Sequence, residues 1–233
     1  MTDRIRRFLA GALAAGALLF AAGCGGTNHL AEYDFEGRTV AVTAAVPPLP
    51  GVFTDPNVVT PVDLNRPAET FLRVGTAVAK EAAARRAEAR MDSALARVDV
   101  AERLARRTLL QSARYLGYRP VNDLDRADFL LDIRVKEYGR TAHSWDAAVN
   151  FVLDAEVRLL DRRARRVVWK KKIRHTEPVT AAIIGFGPTL GNVFTAATLA
   201  SLSVDEMERA FKNLADYAAD RFAGELREDY YER

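Results

Sequence analysis

The sequence predicts an α+β domain in which an antiparallel-dominated sheet of about four to five strands is covered on one face by helices. Hydrophobic residues recur at helical spacing between positions 68 and 116, and from 118 to 173 the period changes to the two-residue alternation of strands. Ser203 and Glu206 form a capping box that opens a final helix of about 20 residues. We therefore expect a long helix or helix pair and a C-terminal helix, packed on one face of the sheet.

The first strand is predicted at residues 38–46, a β-branched run bounded by Gly37 and Pro47. Residues 47–67 are rich in Pro, Gly, Asp and Asn, and they are expected to form a long surface loop. The segment after this loop is rich in Ala, Arg, Glu and Leu and has no Pro, which favours one long helix or two stacked helices. Gly117 is the expected C-terminal cap of this helical segment.

Three strands are expected after a short strand at 118–122. Apolar and polar residues alternate in 129–138 and again in 149–160, which is typical of strands with one buried face. Val167, Trp169 and Ile173 mark the third strand, which follows a charged connection at 161–165. Three such strands in succession predict an antiparallel meander with one solvated face. The tail 229–233 is expected to fray.

The segment 179–204 contains no charged residue and is too poor in large apolar residues for a spanning helix. Two interpretations remain open, because its apolar side chains are too many to leave exposed. The segment packs on its own domain, partly as a short helix at 192–201, or it contacts a subunit or the membrane. The residues predicted for such a partner contact are Ile183, Ile184, Phe186, Phe194 and Trp145.

Residues 1–24 have the organisation of an export signal that ends at the only cysteine of the chain. The basic start is followed by an uncharged run at 8–23, which is shorter than the roughly 20 apolar residues that span a bilayer. The sequence Ala21-Ala22-Gly23-Cys24 resembles the bacterial lipobox. The resemblance implies cleavage before Cys24 and acylation of its thiol, after which no thiol remains for a disulfide or a thiolate metal site. The alternative is a secreted protein with a cysteine beside its cleavage site.

The predicted organisation is a signal peptide at 1–23, a lipidated tether at 24–36 and a single periplasmic α/β domain at 37–228. Gly25 follows the cysteine. Lipoproteins of two-membrane bacteria that lack Asp at this position are usually found in the outer membrane, and this resemblance implies the same location here. Removal of residues 1–23 leaves 31 basic and 30 acidic residues. The mature chain is therefore nearly neutral, and its net charge indicates no class of partner.

Motifs for catalysis, metal binding and cofactor binding are missing from the sequence. It contains no HExxH, GxSxG or Walker-type loop, and the glycines at 185–191 do not fit a dinucleotide loop. The carboxylates at 122–128 lack the glycine of a calcium loop and predict a polar turn instead. His143, Ser144 and Asp146 are interpreted as a hairpin loop. We expect no enzyme activity, no cofactor and no metal.

The arginine-rich helical segment is not expected to bind nucleic acid. Its basic residues are balanced by acids, and no aromatic residues for base stacking are interleaved with them. The arginines predict a solvated helix face, or a surface that contacts anionic lipid, lipopolysaccharide or peptidoglycan.

Four short elements resemble a superfamily of envelope proteins that includes the curli-secretion channel lipoprotein, the lipoprotein activators of penicillin-binding proteins and the amino-terminal domain of TolB. These elements are Val40-Ala-Val42, Gly117-Tyr118, Ala127-Asp-Phe-Leu-Leu131, and Leu159-Leu-Asp161 with Val167-Val-Trp169. The chain departs from the superfamily where arginines at 162–166 replace a glycine-bearing turn, and in its long Pro-rich loop. The resemblance implies action by binding, as rings or tethered adaptors, and no functional residue besides Cys24 is carried over.

The expected function is that of a non-enzymatic outer-membrane lipoprotein, an accessory or adaptor subunit of an envelope assembly, secretion or transport complex. Its expected partners are the membrane, through the lipid on Cys24, and an envelope protein or further copies of the same chain. The alternative is a periplasmic carrier that binds a lipid or another apolar ligand between the sheet and the helices.

Overall fold

The sheet contains six strands, as seen in a computed structural model that describes residues 27–47, 51–54, 82–83, 85–142, 148–185 and 194–232. The strands are β1 (Thr39–Ala45), β2 (Gly51–Thr54), β3 (Arg119–Pro120), β4 (Phe129–Ala142), β5 (Asn150–Asp161) and β6 (Arg166–Pro178). Their order is β3-β1-β4-β5-β6, and β2 pairs with β4 further along that strand. The sheet is mostly antiparallel, which confirms the predicted fold class.

Strands β4, β5 and β6 form the predicted antiparallel meander, because each strand pairs antiparallel with the next. Strand β1 pairs in parallel with both β3 and β4. The chain leaves β1 and crosses the helical segment before it returns as β3 and β4, and such a crossover produces parallel neighbours. The sequence pattern did not predict this parallel part of the sheet.

In its described residues, the helical segment before β3 contains a helix α1 at 85–95 and a helix α2 at Val100–Leu116. They are separate because Asp99 begins α2, its side chain accepting a hydrogen bond from the Glu102 backbone N–H. Helix α2 ends at Gly117, whose φ of 76° places it in the left-handed region. The predicted C-terminal cap at Gly117 is confirmed.

The described residues after the sheet contain three helices: α3 (Ala181–Ile184), α4 (Ala196–Ser201) and α5 (Val204–Tyr231). The predicted capping box at Ser203 and Glu206 is confirmed, and the hydrogen bond from the Ser203 backbone lowers the pKa of the Glu206 carboxyl. Helix α5 has 28 residues and extends to Tyr231. The prediction that residues 229–233 fray is therefore wrong for the part of that tail up to 231.

The core lies between the sheet and helices α2 and α5. Alternate residues of β5 face inward, as predicted, and are less than 5% exposed: Phe151, Leu153, Ala155, Val157 and Leu159. Leu104, Leu109 and Leu116 of α2 cover them together with Phe211, Phe222 and Leu226 of α5. Burial of this apolar surface on one side leaves the opposite side of the meander to polar residues.

The turn between β5 and β6 contains Arg165, whose φ of 52° is in the left-handed region. Arg165→Gly is expected to raise the free energy of unfolding by about 0.5–1 kcal/mol, since a left-handed conformation costs a residue with a Cβ about 1–2 kcal/mol and the freedom of glycine when unfolded offsets part of that gain. Urea denaturation of the purified protein measures this difference.

Ala164→Gly is the matched control, because Ala164 lies in the same turn and has a negative φ. Glycine at position 164 relieves no strain, and we expect a loss of about 0.5–1 kcal/mol. Equal effects of the two substitutions would contradict the strain at Arg165.

Candidate functional site

The segment that begins three residues after Cys24 pairs with the edge strand β6. The backbone N–H of Lys170 donates to the carbonyl oxygen of Thr27 at 2.8 Å, and the N–H of His29 donates to the carbonyl of Val168 at 2.8 Å. Asn28 forms an antiparallel bridge with Trp169 between these two bonds. Residues 27–35, which we call the strap, therefore begin as a short extra strand beside β6.

Apolar side chains hold the strap in the core. Leu30, in the 3₁₀ turn Leu30–Glu32, and Phe35 are both 0% exposed. The ring of Phe35 packs against Phe129 with centroids 5.1 Å apart and against Tyr230 of α5 at 5.8 Å. The predicted tether at 24–36 thus includes residues that are folded onto the domain, and the sequence signal for this packing was the apolar series Leu30, Tyr33 and Phe35.

Asp229 joins the strap, β6 and α5. Its carboxylate accepts hydrogen bonds from Trp169 Nε1 at 2.7 Å and from Lys171 Nζ at 2.8 Å, and its backbone carbonyl accepts one from Asn28 Nδ2 at 3.0 Å. Glu225 lies 3.1 Å from the same lysine. Burial lowers the pKa of Lys171, but the bonds to Asp229 and Glu225 outweigh it and raise the pKa above its usual value.

The position of the strap limits the free chain after Cys24. Cys24 and the candidate signal lie outside the described residues, and Thr27 is already paired with the sheet. Only Gly25 and Gly26 stand between them, so the three steps from Cys24 to Thr27 span at most about 10 Å when fully extended. Any group attached to Cys24 is therefore held close to β6.

The side of the meander opposite the helices carries a charged network, which we call the open face. Its residues are Asp132, Arg134 and Glu137 of β4, Asp154, Glu156 and Arg158 of β5, and Lys170, Lys172 and Arg174 of β6. Lys170 Nζ lies 3.3 Å from Glu156 Oε2, and Arg158 Nε donates to Oε1 at 2.6 Å. Burial raises the pKa of Glu156, but these two cations outweigh it and hold the pKa below its usual value.

The arginine-rich face of α2 is paired with the acidic face of α5. Arg103 donates two hydrogen bonds to Asp216 at 2.8 and 2.7 Å, and Arg107 donates two to Asp220 at the same distances. The hydrogen bonds to Asp220 raise the pKa of Arg107. The prediction of a solvated face therefore holds for the exposed residue Arg106, whereas these two arginines connect the helices.

The candidate catalytic and metal-binding residues remain apart. His29 is exposed and lies 2.8 Å from Glu32, whereas His175 lies 3.1 Å from Glu177 on another part of the sheet. His143, Ser144 and Asp146 lie outside the described residues. Within the described ranges, no group of three or more His, Cys, Asp or Glu side chains could hold a metal ion.

The carboxylates at 122–128 form the polar turn that the sequence predicts. Asp123 accepts hydrogen bonds from the backbone N–H groups of Asp125 and Arg126. Asp128 accepts bonds from the backbone N–H and the hydroxyl of Thr39, at 3.0 and 2.9 Å, and these lower the pKa of the Asp128 carboxyl. Their oxygens are thus occupied by the turn and by β1.

The predicted partner-contact residues occupy different environments. Ile184 is 1% exposed and Phe194 is 0% exposed, both within the core cluster, whereas Ile183 is half-buried at its edge. Phe186 and Trp145 lie outside the described residues. The described parts of 179–204 pack on their own domain, which is the first of the two interpretations of this segment. The short helix predicted at 192–201 is present as α4, Ala196–Ser201, in the described part of that range.

A small apolar cavity lies between the sheet and the two long helices, where the carrier hypothesis places its ligand. Its volume is about 40 Å³, and its walls include Leu104, Val135, Leu153, Phe211 and Leu214. A cavity that takes up benzene has about 150 Å³. The observed space therefore holds water-sized groups and is too small for an acyl chain.

Comparison with known proteins gives no family for this chain. No protein-family model and no curated protein matches it.

None of the helices in the described part of the chain combines the length and the apolar character that crossing a bilayer requires.

Several solved structures are similar to parts of the chain. A Xanthomonas campestris protein of the family model DUF330 has 12% identity and a TM-score of 0.40, covering 84% of this chain and 86% of that protein. The PelC dodecamer from Paraburkholderia phytofirmans has 10% identity and a TM-score of 0.34, with coverages of 82% and 94%. A lipoprotein from Neisseria meningitidis has 15% identity and a TM-score of 0.25, with coverages of 60% and 83%. At these scores the similarities carry no argument about the function of this chain.

Proposed function

We propose that the protein is a lipid-anchored, non-enzymatic component of the bacterial envelope that acts as an accessory or adaptor subunit of an envelope complex. The strap supports the anchoring part of this proposal. A lipobox-like cysteine stands three residues before the first residue paired with β6, so the lipid and the folded domain are directly connected. Gly25 after the cysteine favours the outer membrane, with the domain facing the periplasm.

Binding is the activity that suits such a protein. A lipid anchor confines the domain to one surface, and confinement raises its effective concentration toward partners on the same surface. Among the described residues, the histidines lie apart, and Asp123 and Asp128 of the acidic cluster at 122–128 accept structural hydrogen bonds. We propose an envelope protein or further copies of this chain as the partner. The small volume of the apolar cavity favours this function over that of a carrier.

Cys24→Ala is expected to remove the protein from the membrane fraction while the domain still folds. Two or more acyl chains anchor a protein stably, at about 0.8 kcal/mol for each buried CH₂, and the variant cannot be acylated. Cell fractionation followed by immunoblotting measures the distribution, and mass spectrometry of the N-terminal peptide detects the acyl chains.

Gly26→Ala is the matched control, since it changes a neighbouring small residue and retains the cysteine. It is expected to fractionate with the membrane like the unmodified sequence. Membrane fractionation of the Cys24→Ala protein at the level of this control would contradict the anchoring proposal.

A further inference from the structure

We propose that the open face of the sheet lies against the anionic phospholipid headgroups of the membrane in which Cys24 is anchored. This inference rests on the proposed lipid anchoring, and it adds the orientation of the domain and the class of lipid that it contacts. The position of the strap, the arrangement of charge on the open face and the different environment of the other basic surface support it.

The strap places the anchor beside the basic residues of β6. The backbone of Lys170 is bonded to Thr27, and the lipidated Cys24 lies within about 10 Å of that residue. Lys172 and Arg174 follow on the same face of the strand, at about 6.6 Å for each pair of residues. The row is therefore about 13 Å long and begins where the chain leaves the domain for the membrane.

On the open face, two of the acids are mostly buried, whereas several of the bases are exposed. The Glu156 side chain is 7% exposed and that of Asp132 15% exposed. In contrast, the side chains of Arg134 and Arg174 are 56% and 77% exposed. The face contains five basic and four acidic residues, and because Glu156 and Asp132 are mostly buried, its exposed surface is more positive than this count alone indicates.

Lys172 is the centre of this positive surface. It is exposed and stands opposite Glu156 in the pairing of β5 with β6, but that carboxylate is bonded to Arg158 and Lys170. No ion pair within 4 Å joins the Lys172 ammonium to a carboxylate in the described parts of the chain, and Glu156 is paired with Arg158 and Lys170. Headgroup phosphates are the anions that an anchored domain meets at this distance from the acyl chains, and a basic residue near an anionic bilayer surface strengthens binding about fivefold.

The second basic surface of the protein, on α2, lies in a different environment from the basic row on β6. The arginines of α2 lie on the other side of the sheet, and Arg103 and Arg107 are bonded to aspartates of α5. The exposed residues Arg106 and Arg114 remain on that helix. They provide an internal control, because they carry the same charge as the β6 pair and lie on the side of the sheet opposite the open face.

The test uses the full lipidated chain, reconstituted in vesicles of phosphatidylcholine with or without phosphatidylglycerol. Acylation consumes the thiol of the only native cysteine, so an introduced cysteine is the only site for a fluorophore. Thr176→Cys places the label on the open-face side of β6, and Leu110→Cys places it on α2, where the native side chain is 45% exposed. Quenching by nitroxide-labelled headgroups reports which label is near the membrane.

We expect stronger quenching at position 176 than at position 110 in the anionic vesicles, and a smaller difference without phosphatidylglycerol. The difference should decrease in about 1 M salt, where the Debye length is about 3 Å. Combining Lys172→Gln with Arg174→Gln should shift the ratio of membrane-apposed to detached domain about 25-fold toward detachment. Lys172→Gln alone leaves the ion pair of Arg174 intact. This single substitution should shift the ratio of membrane-apposed to detached domain about fivefold.

Arg106→Gln with Arg114→Gln removes the same charge from α2 and is expected to leave the quenching unchanged. Equal quenching of the two labels, a difference independent of phosphatidylglycerol, or an effect of the α2 substitutions as large as that of the β6 substitutions would overturn the inference. Co-flotation with vesicles separately reports the anchor. A chain that lacks acyl groups and does not float overturns the anchoring proposal and the inference with it, whereas a floating chain with equal quenching overturns the inference alone.

Discussion

Leu30→Ala is expected to lower the free energy of unfolding by about 2–5 kcal/mol, although Leu30 lies only six residues after Cys24. Its side chain is 0% exposed in the core formed by the strap, β6 and α5. Removal of three buried carbons loses their transfer free energy and leaves a cavity that the surrounding residues fill only in part. Urea or thermal denaturation of the purified protein measures the loss.

Ala31→Ser is the matched control in the same 3₁₀ turn, because Ala31 is exposed. We expect a change within about 0.5 kcal/mol for this surface substitution. If Leu30→Ala were equally neutral, the strap would be a free tether and the distance limit between Cys24 and β6 would not apply. The substitution thus tests the structural basis of the anchoring proposal without relying on any membrane assay.

Ile184→Ala is expected to destabilise the domain by about 2–5 kcal/mol, and Ile183→Ala by about 1 kcal/mol or less. The two residues are adjacent and chemically identical, but Ile184 is 1% exposed in the core whereas Ile183 is half-buried at its edge. The pair therefore separates the two interpretations of the uncharged segment. Packing on its own domain predicts a large difference in stability, and a subunit or membrane contact made by Ile184 predicts a small one.

The measurement is the urea midpoint of both variants, together with the native mass of each. A loss of stability at Ile184 without a change in mass supports packing within one chain. A lower native mass of either variant would mean that an oligomer has dissociated. If the urea midpoint were unchanged at the same time, this would contradict packing within one chain and indicate a contact between subunits. Phe186 and Trp145 remain predicted contact residues that the described structure does not locate.

Most of the fold could be predicted from local patterns. The alternation in β4 and β5, Gly117 at the end of α2 and the capping box at Ser203 each depend on residues close together in the chain. The parallel pairing of β1 with β4 could not be predicted in this way, because its partners are separated by the whole helical segment. Sequence periodicity shows that a strand exists and which face it buries, but not which strand it pairs with.

The structural roles of Asp229 near the end of α5 and of the strap could not be predicted from the sequence, for the same physical reason. Asp229 looks like part of a polar tail, but the groups that bind it, Trp169 and Lys171, lie about 60 residues earlier in the chain. The strap similarly contains small and polar residues around Leu30 and Phe35, whose partners are in β4, β6 and α5. A polar residue or a short apolar series becomes structural only when tertiary contacts supply its partners.

The ion pairs between α2 and α5 could have been predicted from the spacing of charges in the sequence. Arg103 and Arg107 are four residues apart, and so are Asp216 and Asp220, which matches the two pairs along neighbouring helices. Equal spacing of opposite charges on two helices is what such pairing requires. In contrast, the burial of Glu156 and Asp132 beside exposed bases on the open face depends on strand register, which no local pattern gives.

The attachment of the strap to β6 also determines how the protein responds to mechanical load. In a lipid-anchored chain, tension between the membrane and a bound partner enters the domain at Thr27 and acts first on the backbone bonds of Thr27 and His29 to β6. Behind them, the buried side chains of Leu30 and Phe35 resist peeling of the segment from the sheet. With the proposed anchor and a bound partner, the pull would therefore act on the edge strand, and the strength of the contact between the strap and β6 would limit the force that reaches the bilayer.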